Sequence, residues 1–245
     1  MDTETLQIHL SSKDAMYYNN SISDCEWVLP LIEVPLQHQI YCSVQHAVIP
    51  YTFYNIDQYN NRLDISINGI TSTVFITYGN YNPYSLITFL QTNITGLSVT
   101  YNIITNKFTF THSAYEFTFL NTSNSLGLIG MPMNVNTSSS NKILTSINCI
   151  NLQSHMCICL ATNLPTGHIN NSSKYHNNIL CSIPIEGNPF SMITYTNYNN
   201  LKSNFFRNTL SSIQIRLLDQ SNNLLDLNGC HWSVTIQLDV VRFVY

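Results

Sequence analysis

Apolar and polar residues alternate one by one along five stretches of this chain. Ile40, Cys42, Val44, His46 and Val48 would share one face of a strand, with Tyr41, Ser43, Gln45 and Ala47 on the other. Leu63, Ile65 and Ile67 alternate with Arg62, Asp64 and Ser66, and Phe108 and Phe110 with Thr109 and Thr111. Ile213, Ile215 and Leu217 do the same with Gln214 and Arg216, as do Val234, Ile236, Leu238 and Val240 with Ser233, Thr235, Gln237 and Asp239. A strict period of two describes antiparallel strands with one face buried and one wet. The expected core comprises Ile213, Ile215, Val234, Ile236 and Leu238.

Turn signals separate these strands. Asn68-Gly69 predicts a tight hairpin, and Thr105–Lys107, Asp219–Asn223 and Asn228-Gly229 predict further turns. One helix stands out. Asn82 can cap it, Pro83 fits its first position, and Leu86, Phe89, Leu90 and Ile94 recur at helical spacing. A shorter helical piece is expected at Ser125–Ile129. The stretches 134–141 and 165–178 read as exposed Ser/Asn-rich loops. Many short strands and few helices predict an all-β fold: a single jelly-roll β-sandwich with one or two short helices and a loop-rich insertion. The expected organisation is one domain over residues 1–245, elaborated at about 134–204.

Charge is scarce. Only 9% of the 245 residues are charged, against roughly 25% in ordinary soluble domains, and none lies between Asp64 and Lys107. Polarity comes instead from Asn, Ser, Thr and 15 Tyr. Such a surface repels copies of itself weakly. The net charge of −4 carries no basic footprint for nucleic acid. No apolar run reaches the ~18 residues of a membrane span. The opening MDTETLQIHL has neither the basic nor the apolar region of a secretory signal, and Asp2 excludes N-myristoylation. Seven irregularly spaced cysteines then read as free thiols made in a reducing compartment. The sequons at Asn93, Asn121, Asn136, Asn170 and Asn171 read as chance matches in an Asn-rich chain.

Catalytic motifs are missing. There is no Gly-rich phosphate loop, no G-x-S-x-G and no H-E-x-x-H, and acidic residues are scattered. The best metal candidate is His155, Cys157 and Cys159, which would share a strand face, with His168 or His176 as a fourth ligand. The stronger reading makes Cys157 and Cys159 unligated thiols of a core strand. His46 reads as a hydrogen-bonded core residue and Trp232 as a core anchor rather than a ligand platform. No catalytic, cofactor-binding or metal residue is therefore assigned, and no enzymatic activity is expected.

VQHAVIPYTFYNID, residues 44–57, runs from a strand into an uncharged aromatic cluster. Pro50 lacks the N–H needed to extend a ladder, so the chain must turn there. Tyr54, beside Asn55, is expected to pack into the core, and Tyr51 to face a neighbouring subunit.

Several stretches together resemble a known family. IHLSSKDAMYYNNSISDCEWVL looks like the opening strand of penton and minor capsid proteins of Polinton-like viruses, virophages and related large DNA viruses. VIPYTFYNID, TYGNYNPYSLITFLQTNI, YNIITNKFTF with SNSLGLIGM, and IQIRLLDQSNNLLDLNGCHWSVTIQL are similar to later elements of that group, in the same order. The stretch from about 134 to 204 matches none of them. The resemblance implies a single jelly-roll virion protein, with the length favouring a vertex (penton) role. It implies a homopentamer contacting major capsid protein capsomers, located in the virion and made in the host cytoplasm or virus factory. It brings no catalytic residues. Another minor capsid or cement protein has the same signature, and a receptor- or glycan-binding β-sandwich is a further class. Low charge and abundant tyrosine suit interfaces, where aromatics are enriched and most charges depleted.

Overall fold

The computed structural model describes residues 3–18, 20–34, 38–153, 155–165, 169–170, 177–205 and 209–242. The chain divides into two compact units. Unit 1 comprises Met1–Phe53 and His155–Tyr245, and unit 2 comprises Tyr54–Ser154. The segment that interrupts unit 1 thus overlaps the expected elaboration at 134–204 only up to residue 154.

Unit 1 opens with β1 (Thr3–Ser11), a 3-10 turn at Ser12–Asp14, β2 (Met16–Tyr18), β3 (Ser21–Glu33) and β4 (His38–Pro50). Unit 2 then supplies β5 (Arg62–Ile67), β6 (Ile70–Phe75), the helix α1 (Pro83–Asn93), β7 (Leu97–Asn102), β8 (Lys107–His112), β9 (Phe117–Phe119), β10 (Thr137–Ser138) and β11 (Ile143–Thr145). The chain returns to unit 1 through β12 (Cys157–Thr162), β13 (Ile169–Asn170), β14 (Asn177–Pro184), β15 (Met192–Thr196), β16 (Ser203–Phe205), β17 (Thr209–Leu218) and β18 (Ser233–Arg242).

Unit 1 is a β-sandwich. One sheet runs β1-β18-β4-β15, with β16 also paired to β4, and the other runs β13-β14-β12-β17-β3-β2. Side chains from both sheets meet in one core. Ile213, Ile215, Val234, Ile236 and Leu238 are all buried there, as their alternation predicts. The fold is all-β, with one α-helix among the described residues.

β4 departs from strict alternation. Thr235 pairs with His46 but Ile236 pairs with Val44, which leaves Gln45 as an extra residue. This bulge flips the phase of everything beyond it. Ile40, Cys42 and Val44 point inward as expected, but then Ala47 and Ile49 take over. His46 is consequently exposed, which corrects its reading as a core histidine.

Unit 2 has its own core. A sheet β10-β9-β5-β6 and a sheet β11-β8-β7 contribute Leu63, Ile65, Phe108, Phe110, Phe117 and Phe119, and α1 contributes Leu86 and Leu90. The helix starts where expected. Asn82 accepts the Ser85 N–H at 2.9 Å, and Ser85 Oγ accepts the Asn82 N–H at 3.0 Å, a reciprocal cap with Pro83 at the first position. Ser125–Ile129 forms successive turns, bonded from Leu128 to Ser125 and from Ile129 to Leu126, rather than a helix. Gly130, at φ +73°, ends the series. The stretch 134–141 includes the short strand β10.

The Asn content has a local explanation. Asn68 and Gly69 sit at φ 50° and 79°, and Asn228 and Gly229 at φ 50° and 80°. Both pairs have the two successive positive φ values of a tight turn, the first closing the β5–β6 hairpin. Asn20, Asn106, Asn141, Asn200 and Asn222 also hold positive φ. Asn tolerates that region better than other residues with a Cβ.

Candidate functional site

Cys157 and Cys159 stand on the same face of β12, with their sulfurs 3.9 Å apart. Burial, with Cys157 alongside, pushes the Cys159 thiol up to about 11. Burial likewise pushes Cys181 and Cys42 up to about 12. Such a shift keeps Cys42, Cys159 and Cys181 protonated at neutral pH, poor nucleophiles and poor metal ligands in that form. The seven cysteines form no disulfide.

His155 lies just before β12 and does not join the thiols in a metal site. Its ring meets Phe53 edge to face at 5.3 Å, and its Nδ1 lies 3.8 Å from Asp219 Oδ2. Among the described residues, no group of three or more His, Cys, Asp or Glu is placed to hold a metal ion. His168 and His176 lie outside the described residues.

Trp232 is buried as a core anchor. The aromatic cluster after β4 divides differently from expectation. Phe53 is the buried residue and Tyr51 stacks on it at 4.6 Å. Tyr54 is half-buried and belongs to neither core, so the expectation that it fills the core gives way to Phe53. Beyond Pro50 the chain turns at once, and Phe53 is the ring that the turn carries into unit 1.

What the molecule does present is uncharged apolar surface. In unit 1, Met16, Tyr17 and Tyr18 on β2 and Val28 and Leu31 on β3 are exposed. Phe190, Met192, Tyr198 and Leu201 are exposed along and beside β15. In unit 2, Ile70 projects from the β5–β6 turn, and Ile103 and Ile104 from the β7–β8 turn. Scattered apolar residues are ordinary on protein surfaces, and only a large contiguous patch of them marks an interaction site. Sequence alternation does not reveal this set, because the residues stand at edges and turn tips that only the topology defines.

Over the same span the fold has a known counterpart. It is similar to the crystal structure of the mavirus penton protein. The likeness covers 98% of this chain and 100% of that one, with a TM-score of 0.53 and 10% sequence identity. At that identity the likeness is one of fold. No family model matches the sequence. No curated protein matches it either. No helix among the described residues is long and apolar enough to cross a membrane.

Proposed function

We propose that this chain is a structural virion protein, the penton of an icosahedral DNA virus, that assembles as a homopentamer at capsid vertices and meets major capsid protein capsomers. The observation that carries the reading is the end-to-end likeness of an all-β chain to the mavirus penton fold. The ordered sequence elements that resemble penton and minor capsid proteins support it. So does a surface poor in charge and supplied with exposed tyrosine, methionine and isoleucine. In this reading residues 1–245 act as one capsid domain, with the sandwich of unit 1 as its jelly roll. The role is architectural and not catalytic, and it places the protein in the virion after synthesis in the host cytoplasm or virus factory.

Native mass spectrometry of the purified chain tests the assembly. A five-copy species is the expected result, and a monomer at every concentration rejects it. Immunolabelling of purified virions tests the place. Label confined to vertices is expected, and label absent from virions rejects a capsid role.

A further inference from the structure

Among the described residues, β15 is an edge strand. It pairs with β4 from Met192↔Pro50 to Thr196↔His46, and no described strand pairs with its other side. The bonds from Tyr51 N–H to the Ser191 carbonyl and from Asn197 N–H to the Gln45 carbonyl fix the phase of this ladder. Residues 191, 193, 195 and 197 bond β4, so the backbone N–H groups of Met192, Thr194 and Thr196 point away from the sheet. Beside this edge runs a groove of about 510 Å³, walled by Ile183, Pro184 and Gly187 and rimmed by Met192 and Tyr198. A free strand edge with a groove beside it is the arrangement that accepts an added strand.

Among the described residues, the same sheet ends at its opposite side in a second edge strand. β1 pairs with β18 over nine residues without a bulge, and no described strand pairs with its other side. The bond from Ser12 N–H to the Trp232 carbonyl sets its phase. Residues 4, 6, 8 and 10 bond β18, and the N–H groups of Thr5, Gln7 and His9 point outward.

We propose that β1 of one copy pairs with β15 of the next, continuing the β1-β18-β4-β15 sheet from subunit to subunit. This rests on the self-assembly reading above and names its contact. Three linked features of the two edges agree. First, the four strands alternate in direction, so β15 runs opposite to β1 and a copy in the same orientation offers an antiparallel partner. Second, the outward-pointing backbone groups belong on both edges to residues whose side chains lie on the sheet's outer face. Thr5 and Gln7 would therefore stand opposite Met192, Thr194 or Thr196. Third, the same register places Leu6 and Ile8 on the inner face with Ile193 and Tyr195, at the groove. Leu6 is 40% exposed in the single chain. A slip of one residue would break the match of backbone and of faces together.

The contact is head-to-tail, the kind that closes into a ring when each copy is turned by a fixed fraction of a full circle from the last. A five-residue strand contact falls short of the ~1,200 Å² of a stable isolated interface. Two isolated copies would therefore separate, whereas ring closure gives each copy two such contacts.

Proline tests the contact, because at an outward position of an edge strand it takes no N–H from the existing ladder. Thr194→Pro and Gln7→Pro, each in the full chain, are expected to keep the circular dichroism and melting of the parent and to weaken assembly at least tenfold by native mass spectrometry. A folded variant of either kind that assembles like the parent overturns the proposal while leaving self-assembly standing. A parent chain that is monomeric at every concentration overturns self-assembly itself. Hydrogen exchange on the parent chain needs no variant. The Thr194 and Gln7 amides should be protected in the assembled species, and fast exchange at either one overturns the contact.

Discussion

The indole rings of Trp27 and Trp232 meet edge to face at 5.7 Å and 88°. Trp27 belongs to β3 in one sheet of unit 1, and Trp232 leads into β18 in the other. Each indole also donates to a backbone carbonyl of the opposite sheet. Trp27 Nε1 donates to the Ser11 carbonyl and Trp232 Nε1 to the Ile22 carbonyl, both at 2.8 Å. The pair therefore ties the two sheets together by burial and by two part-buried hydrogen bonds. Trp232→Ala should destabilise unit 1 by about 3–5 kcal/mol. Trp232→Phe keeps most of the packing and removes the indole donor from the Ile22 carbonyl, which keeps the Cys25 thiol at 2.9 Å, so the cost should be about 0.5–1.5 kcal/mol. Urea unfolding followed by intrinsic fluorescence and circular dichroism measures both, and a Phe variant as stable as the parent would mean that the N–H contributes nothing.

The turn after Pro50 makes a second prediction. Phe53 is fully buried, stacked on Tyr51 and set edge to face against His155, whereas Tyr54 keeps part of its surface in water. Phe53→Ala should lower stability by about 3–5 kcal/mol. Tyr54→Ala should lose about 1 kcal/mol, near the centre of ordinary substitutions. Thermal melts of the two variants beside the parent rank them, and a larger loss for Tyr54 would place the anchor one residue later.

These cases show how far the sequence could be read. The alternation of Ile213–Leu217 and Val234–Val240 carries its own phase, because every second residue is strongly apolar, and the structure keeps it. β4 has no such signal at its bulge. Ala47 is small enough to sit on either face, and the shift is set by pairing with β18, some 190 residues away by the numbering. Asn68-Gly69 was legible since the turn needs only local geometry. The division into two units was not, because the strands of unit 2 show the same period and composition as those of unit 1. The free edges of β1 and β15 were illegible for a related reason. Being at an edge is a property of topology, and neither strand contains a residue that records it.

Asp64 makes the same point with a buried charge. Its alternation with Leu63 and Ile65 predicts a wet carboxylate, yet it is 2% exposed. Thr73 Oγ1 donates to Oδ1 at 2.6 Å, Thr122 Oγ1 to Oδ2 at 2.5 Å, and Arg62 bonds both oxygens at 3.0–3.1 Å. Burial alone would raise its pKa, but the two hydroxyls and the Arg62 guanidinium hold it below the ordinary Asp value. A carboxyl with a lowered folded pKa adds stability above its unfolded value, roughly pH 4, and that stability fades as pH falls through the folded value. The stability of the parent should therefore drop below about pH 4. Asp64→Asn should be less stable at pH 7 and show a shallower loss on acidification. Melting curves from pH 7 to pH 2 check this, and parallel curves for parent and variant would remove Asp64 from the acid response.

Phe190 carries the last prediction. It sits at φ +71°, a region a bulky side chain seldom adopts, and is 79% exposed. The backbone explains the geometry. Phe190 N–H donates to the Tyr51 carbonyl while Tyr51 N–H donates to the Ser191 carbonyl, so two residues oppose one in a bulge just before β15. Glycine is the usual occupant of that left-handed position. Little burial is lost on removing an exposed ring, and the strain relieved is about 1–2 kcal/mol. Part of that is offset by the ~0.5–1 kcal/mol of chain entropy that glycine adds to the unfolded state. Phe190→Gly should thus leave the isolated chain as stable as the parent or up to about 1 kcal/mol more so. An exposed aromatic held at a strained position beside a free strand edge is otherwise without a role in the single chain. If it packs on a neighbouring copy, the same substitution should weaken assembly, because buried aromatics often dominate interfaces. Stability and assembly would then move in opposite directions. Melting of the dilute chain and native mass spectrometry of the concentrated one read the two effects separately, and unchanged assembly would make Phe190 a strained turn residue and nothing more.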